Sequence, residues 1–185
     1  MIHDLPMVLA AAFYMVSAAL LYYSIGKRSE SLLNRAFQVA VAGGVLHLTA
    51  QVTHWLRDGP PDVSIAPLLS LCALVCIFLL VTSSISQRKF FAAGLVALPI
   101  AAAAVLAELF VPHDPFELGK MSTGIAVHLV SSILAFGLLS MAGIYAFFVF
   151  FIDHFLRRHH LNPLVRSLPP LEVLESLLFK LITAG

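Results

Sequence analysis

The chain has 185 residues, 60% of them hydrophobic and only 11% charged, with a mean hydropathy of +0.95. Soluble domains carry about a quarter charged residues, so this balance excludes an ordinary soluble enzyme and points to a polytopic membrane protein. A formal net charge of +1 offers no basic footprint for a nucleic-acid partner. Two cysteines, Cys72 and Cys76, lie four residues apart in an apolar segment. That spacing is not the C-x-x-C of a thiol–disulfide relay, and the plain reading is two small packing residues.

Taken in chain order, five apolar segments cover residues 5–25, 36–56, 65–86, 90–111 and 122–155. Each exceeds the roughly 17 residues a helix needs to cross a bilayer. None alternates with period two over a useful length, so a β-barrel is excluded. The first segment begins at an acidic end containing Asp4 and is too long for the apolar core of a signal peptide, so it reads as a retained span. Pro99 interrupts the fourth segment and is expected to kink it, a fault that packed neighbours absorb. Residues 168–185 open with Pro169–Pro170, a helix-start signal. They continue amphipathically, as an interfacial helix or as the start of a sixth span. The fold class expected is therefore an all-α transmembrane bundle forming a single membrane domain.

The connections alternate in charge. Lys27, Arg28 and Arg35 follow the first span, Arg88 and Lys89 the third, and RRHHLNPLVR the fifth, whereas the second and fourth are followed by the acid-bearing RDGPPDVS and PHDPFELGK. The positive-inside rule puts the three basic connections in the cytoplasm and the N-terminus outside.

No Gly-rich phosphate loop, G-x-S-x-G, H-E-x-x-H or paired intramembrane carboxylates are present, and Glu108 is the one acid near a span interior. Hydrolytic or ATP-driven chemistry has no support. Of eight histidines, His154, His159 and His160 cluster with arginines at the inner end of the fifth span. His47, Gln51 and His54 fall at i, i+4 and i+7 on one face of the second span. At 1.5 Å per residue, His47 lies about 10 Å below His54, and His128 lies about 9 Å below the outer end of the fifth span. The two are thus expected at similar depth in the outer half of the bilayer. Facing imidazoles on two helices could ligate a haem iron, and small residues (Gly43, Gly44 and Ala50; Ser131, Ser132 and Ala135) would leave room for a flat macrocycle. Alternatively, each histidine relays a proton, or simply bonds to a carbonyl or serine on a neighbouring helix.

The second-span GGVLHLTAQ, the outer R-D-G loop with V-S-x-x-P-L-L-S-L, and MSTGIAVHLVSSILAFG together resemble the cytochrome c assembly family of CcsA/ResC-type and HemX-like haem-handling membrane proteins. The segment LPPLEVLESLLFKLITAG is most similar to the YpjD-type inner-membrane branch. The resemblance runs over essentially the whole chain. It implies a helical bundle of about eight spans in a bacterial inner membrane, holding or presenting haem near the outer face, with cytochrome c assembly proteins as partners. Within it, His128 matches the external haem-ligand histidine and His47 a second-span histidine. Ser131 and Ser132, a turn along from His128, are expected to support its ring through hydrogen bonds. The tryptophan-rich segment of the synthetases has no counterpart beside the single Trp55, so lyase activity is not expected, and the chain reads as an N-terminal portion or a shortened member. The rival readings are a cofactor-free membrane scaffold and, with mobile helices at Pro99 and Gly43–Gly44, a transporter subunit.

Overall fold

The computed structural model describes residues 5–58, 64–112, 122–157 and 168–185. The acid-bearing connections at 59–63 and 113–121 and the basic stretch 158–167, with their charges and His113, His159 and His160, lie outside the described residues. The elements are α1 (Leu5–Lys27), α2 (Glu30–Asp58), α3 (Ile65–Ser86), a 3-10 turn (Arg88–Ala93), α4 (Gly94–Phe110), α5 (Thr123–Arg157) and α6 (Leu171–Ala184). Among the described residues there is no strand, and five helical segments are long and apolar enough to cross a membrane. The all-α bundle of five apolar spans plus a C-terminal helix agrees with the sequence reading.

Helices α1 to α4 form an up-down-up-down ring, in which α1 packs on α2 and α4, and α3 on α4 and α2. In lipid, no hydrophobic driving force separates helix from tail, so close van der Waals packing has to hold such a ring together. The sequence provides for this with small residues. Met7, Ala10, Ala11, Tyr14, Ser17, Ala18, Leu21 and Ser24 form the buried stripe of α1. Ala36, Ala40 and Ala50 are buried opposite on α2. The two backbones come close enough for Ser17 Oγ to donate to the Ala36 carbonyl at 2.7 Å. A Cβ at Gly43 would stand 3.1 Å from Phe13 and from the Tyr14 ring.

The connection from α1 to α2 is shorter than the ten-residue loop the charges suggested. Arg28 takes a left-handed backbone (φ 52°), and the Ser29 N–H reaches back to the Ser24 carbonyl at 3.1 Å. That six-to-one bond closes α1. Ser29 then caps α2, accepting from the Leu32 N–H at 3.4 Å. Helix α2 therefore begins at Glu30, six residues before the apolar run does. Charged residues at a helix end look like a loop to a hydropathy count.

The fourth span is split between the 3-10 turn and α4, and Pro99 sits inside α4 without ending it. Helix α5 lies outside the ring, against α3. Its C-terminal half is fastened: Tyr145 Oη meets Ser83 Oγ at 3.1 Å and stacks edge-on with Phe90. At Gly137 the approach is close, with Cys76 Sγ donating to the Gly137 carbonyl at 3.4 Å. The N-terminal half, from Thr123 to Phe136, is mostly exposed. Helix α6 turns back along α5, burying Leu174 and Leu181, and its end at Gly185 touches Leu138 and Leu139. Fourteen residues at 1.5 Å each make about 21 Å of helix laid along the apolar middle of α5.

Candidate functional site

The buried polar residues of the ring gather at one place. His47 is fully enclosed between α1, α2 and α3. Its Nδ1 is 3.2 Å from Tyr14 Oη, and its Nε2 is 2.9 Å from Ser70 Oγ. One helical turn along α2, Gln51 Nε2 donates to Ser70 Oγ at 3.4 Å and to both carboxylate oxygens of Glu108, at 2.9 and 3.1 Å. One connected chain thus runs Tyr14–His47–Ser70–Gln51–Glu108 and ties all four ring helices together. No buried side-chain nitrogen or oxygen among the described residues lacks a partner. That completeness matters because a polar group left unpaired in an apolar interior costs several kcal/mol.

The chain has direction. A neutral imidazole offers one donor and one acceptor. If Ser70 donates to Nε2, Nδ1–H donates to Tyr14; if Tyr14 donates to Nδ1, Nε2–H donates to Ser70. Gln51 has two N–H groups, and its geometry spends one on Glu108 and one on Ser70. With both ring nitrogens engaged, His47 fits the serine-bonding alternative, and its lone pair is directed at a hydroxyl.

His128 is placed differently. It is exposed on the N-terminal half of α5, as are Ser131 and Ser132. Ser131 donates its hydroxyl to the His128 backbone carbonyl at 2.9 Å, so that proton is not available to the ring. The structure does not bring His47 and His128 together: α3 stands between α2 and α5, one ring is enclosed and the other is on an open face. Room for a macrocycle beside His47 is also absent, because Gly43 is filled by Phe13 and Tyr14 and Gly44 faces Ile77 at 3.5 Å. The glycines on α2 serve helix packing. The expectation of similar depth says nothing of azimuth, and it is azimuth that separates the two.

Sequence reasoning singled out Gln51 and Glu108 without joining them, and it passed over Tyr14 and Ser70. The available signal was the pairing of one lone intramembrane acid with an amide on the His47 face. Nothing in the pattern of α1 or α3 marked Tyr14 or Ser70, since tyrosine and serine are ordinary in packed spans. A second feature is an apolar groove of about 660 Å³ between α3, α4 and α5, lined among others by Cys72, Cys76, Ala101, Ala104, Phe136 and Ser140. Both thiols are free and buried, in keeping with their reading as packing residues. Among the described residues, no three His, Cys, Asp or Glu side chains group as a metal site.

Comparison with curated proteins finds no match, and comparison with solved structures finds none. A family profile described as cytochrome c assembly protein matches residues 5–185. The match covers every span and both histidine-bearing helices, and the chain belongs to the cytochrome c assembly protein family, as a membrane protein of cytochrome c biogenesis.

Proposed function

We propose that the chain handles or delivers haem during cytochrome c assembly, and that His128 is its iron ligand. The observation that carries this reading is the exposed imidazole on the open N-terminal half of α5. A ligand histidine needs a ring nitrogen that an iron can reach, and His128 has that access. Haem, when bound, supplies the redox-active iron; the protein's part is to hold and orient it. Ser132, four residues on, occupies the same helical face and is the nearer of the two serines in role to a ring-orienting partner. Ser131 has its hydroxyl proton on the backbone. His47 is a poor second ligand in this arrangement, since coordination would require giving up its bond to Ser70 and opening the α1–α2 contact.

The setting proposed is a bacterial inner membrane with the N-terminus outside, a reading supported by Lys27, Arg28, Arg88, Lys89 and Arg157 standing at the helix ends that the alternation of spans would put together. In that orientation His128 faces the compartment where cytochromes c are completed. Helix α6, laid against α5, is read as the first turns of a sixth span rather than a helix floating at the interface. Partner assembly proteins would meet the open half of α5.

The visible spectrum of the chain purified in detergent from haem-replete cells tests this. A Soret band that is lost in His128→Ala and kept in His154→Ala and His47→Gln is the expected result. A wild-type protein that folds normally and carries no haem overturns it, and leaves the cofactor-free scaffold. That second reading draws on the groove beside α5, whose small side chains suit a docked helix.

A further inference from the structure

At the opposite end of the ring from Glu108, the two-residue turn between α1 and α2 meets the 3-10 turn that leads into α4. Between them is a pocket of about 420 Å³ lined by Leu21, Ser24, Ile25, Arg28, Ser29, Glu30, Leu33, Arg88, Lys89 and Ala92. Three cations from two separate connections converge there against one acid. Glu30 forms no ion pair with Arg28, Arg88 or Lys89, so it neutralises none of the three. Arg88 is held in place without a carboxylate: its guanidinium lies 3.9 Å over the Phe37 ring. A guanidinium held over an aromatic face spends no carboxylate on its position and keeps N–H groups for an oxyanion. Arg28 holds its position through a left-handed backbone, a conformation that costs about 1–2 kcal/mol in a residue with a Cβ. The first turn of α2 opens into the same space and adds the positive end of a 29-residue helix.

The other half of the lining is apolar. Leu21, Ile25, Leu33 and Ala92 lie one to two turns deeper along α1, α2 and the 3-10 turn, on the membrane side of the charges. A cationic rim over an apolar wall matches an amphiphile, with oxyanion above and hydrocarbon below, better than a soluble anion. We propose that this pocket binds the phosphate headgroup of an anionic phospholipid, with Arg88 and Lys89 as its principal contacts and the upper acyl chain against Ile25 and Leu33. The site is separate from the haem reading and stands or falls without it.

Full-length protein in a zwitterionic detergent is titrated with phosphatidylglycerol, phosphatidylcholine or inorganic phosphate, with bound lipid counted by native mass spectrometry and the melting temperature followed in parallel. Phosphatidylglycerol should bind and raise the melting temperature, while phosphatidylcholine should not. A juxtamembrane cation contributes about 1 kcal/mol of attraction to an anionic lipid, which is about fivefold in affinity. Arg88→Gln should therefore weaken phosphatidylglycerol about fivefold, and Arg88→Gln with Lys89→Gln about twenty-five-fold. Lys180→Gln, which removes an exposed cation on α6, serves as the control and should leave it unchanged. Equal binding of the two lipids, an equal loss in Lys180→Gln, or a full melting shift from inorganic phosphate alone would each overturn the assignment. If the double variant does not fold, Arg88→Lys decides: it keeps the charge, loses the guanidinium over Phe37, and should still discriminate between the two lipids.

Discussion

Gly137 is where α5 is seated on α3, and Gly137→Ala should unseat it. A Cβ built there would stand 2.5 Å from Val75 Cγ1 and 2.8 Å from Val75 Cβ. Carbon atoms in contact prefer about 3.5–4.0 Å, so one methyl demands roughly 1 Å of extra separation. A rotamer change in Val75 moves Cγ1 but not Cβ, which is fixed to the α3 backbone. The helices themselves have to part, and the Cys76 bond to the Gly137 carbonyl at 3.4 Å stretches with them. Overpacking of this kind costs about 1–3 kcal/mol, or about 5- to 150-fold in the folded-to-unfolded ratio. Equilibrium unfolding by sodium dodecyl sulfate in mixed micelles, followed by the Trp55 fluorescence and by helicity, measures it. Val75→Gly removes both offending atoms, so the double variant should recover most of the loss beyond the additive expectation. A Gly137→Ala protein as stable as wild type, or a double variant with purely additive losses, would show that α5 does not rest on α3 as described.

Three further outcomes follow from the same geometry. Tyr14→Phe removes one hydrogen bond from His47 and should cost about 0.5–1.5 kcal/mol, whereas His47→Leu strips Tyr14 of its partner and leaves Ser70 with Gln51 alone, and should cost more, about 2–4 kcal/mol; a detergent unfolding series ranks them, and an equal cost would deny the connected chain. Arg28→Val should lower stability by about 1–2 kcal/mol and Arg28→Gly should not, because only the left-handed backbone distinguishes the two; melting temperatures in one detergent give the comparison. A cysteine replacing Asp114 should react with an impermeant maleimide on intact cells, and labelling seen only after lysis would reverse the proposed orientation.

Much of this fold was legible in the residues because hydropathy in a membrane chain is a one-dimensional measurement of a one-dimensional constraint. A helix that crosses lipid has to satisfy its backbone internally and be long enough. Those requirements placed all five spans within a few residues, except where polar helix ends at Glu30 and Asp58 extended α2 past its apolar run. Pro99 lies inside α4, where its missing N–H removes one bond and the helix continues past it.

Azimuth is the part that hydropathy does not encode. His47 and His128 share a chemical type, yet one is locked between hydroxyls and the other stands open. What separates them is which helix neighbours which, and that is decided by where small residues permit contact. Gly43 and Ala40 draw α2 onto α1, turning His47 inward to Tyr14; Gly137 draws α5 onto α3 from outside the ring, leaving the helix beyond it uncovered. The α2 glycines that looked like room for a cofactor are taken up by helix packing, Gly43 against Phe13 and Tyr14 and Gly44 facing Ile77. On α5 the close contact falls below His128 rather than beside it, so seating the helix does not cover the imidazole. What separates the two histidines is therefore whether a glycine one turn away is packed: Gly43, four residues before His47, is filled by Phe13 and Tyr14, whereas Gly124, four residues before His128, meets nothing nearer than Ser122 of its own chain segment.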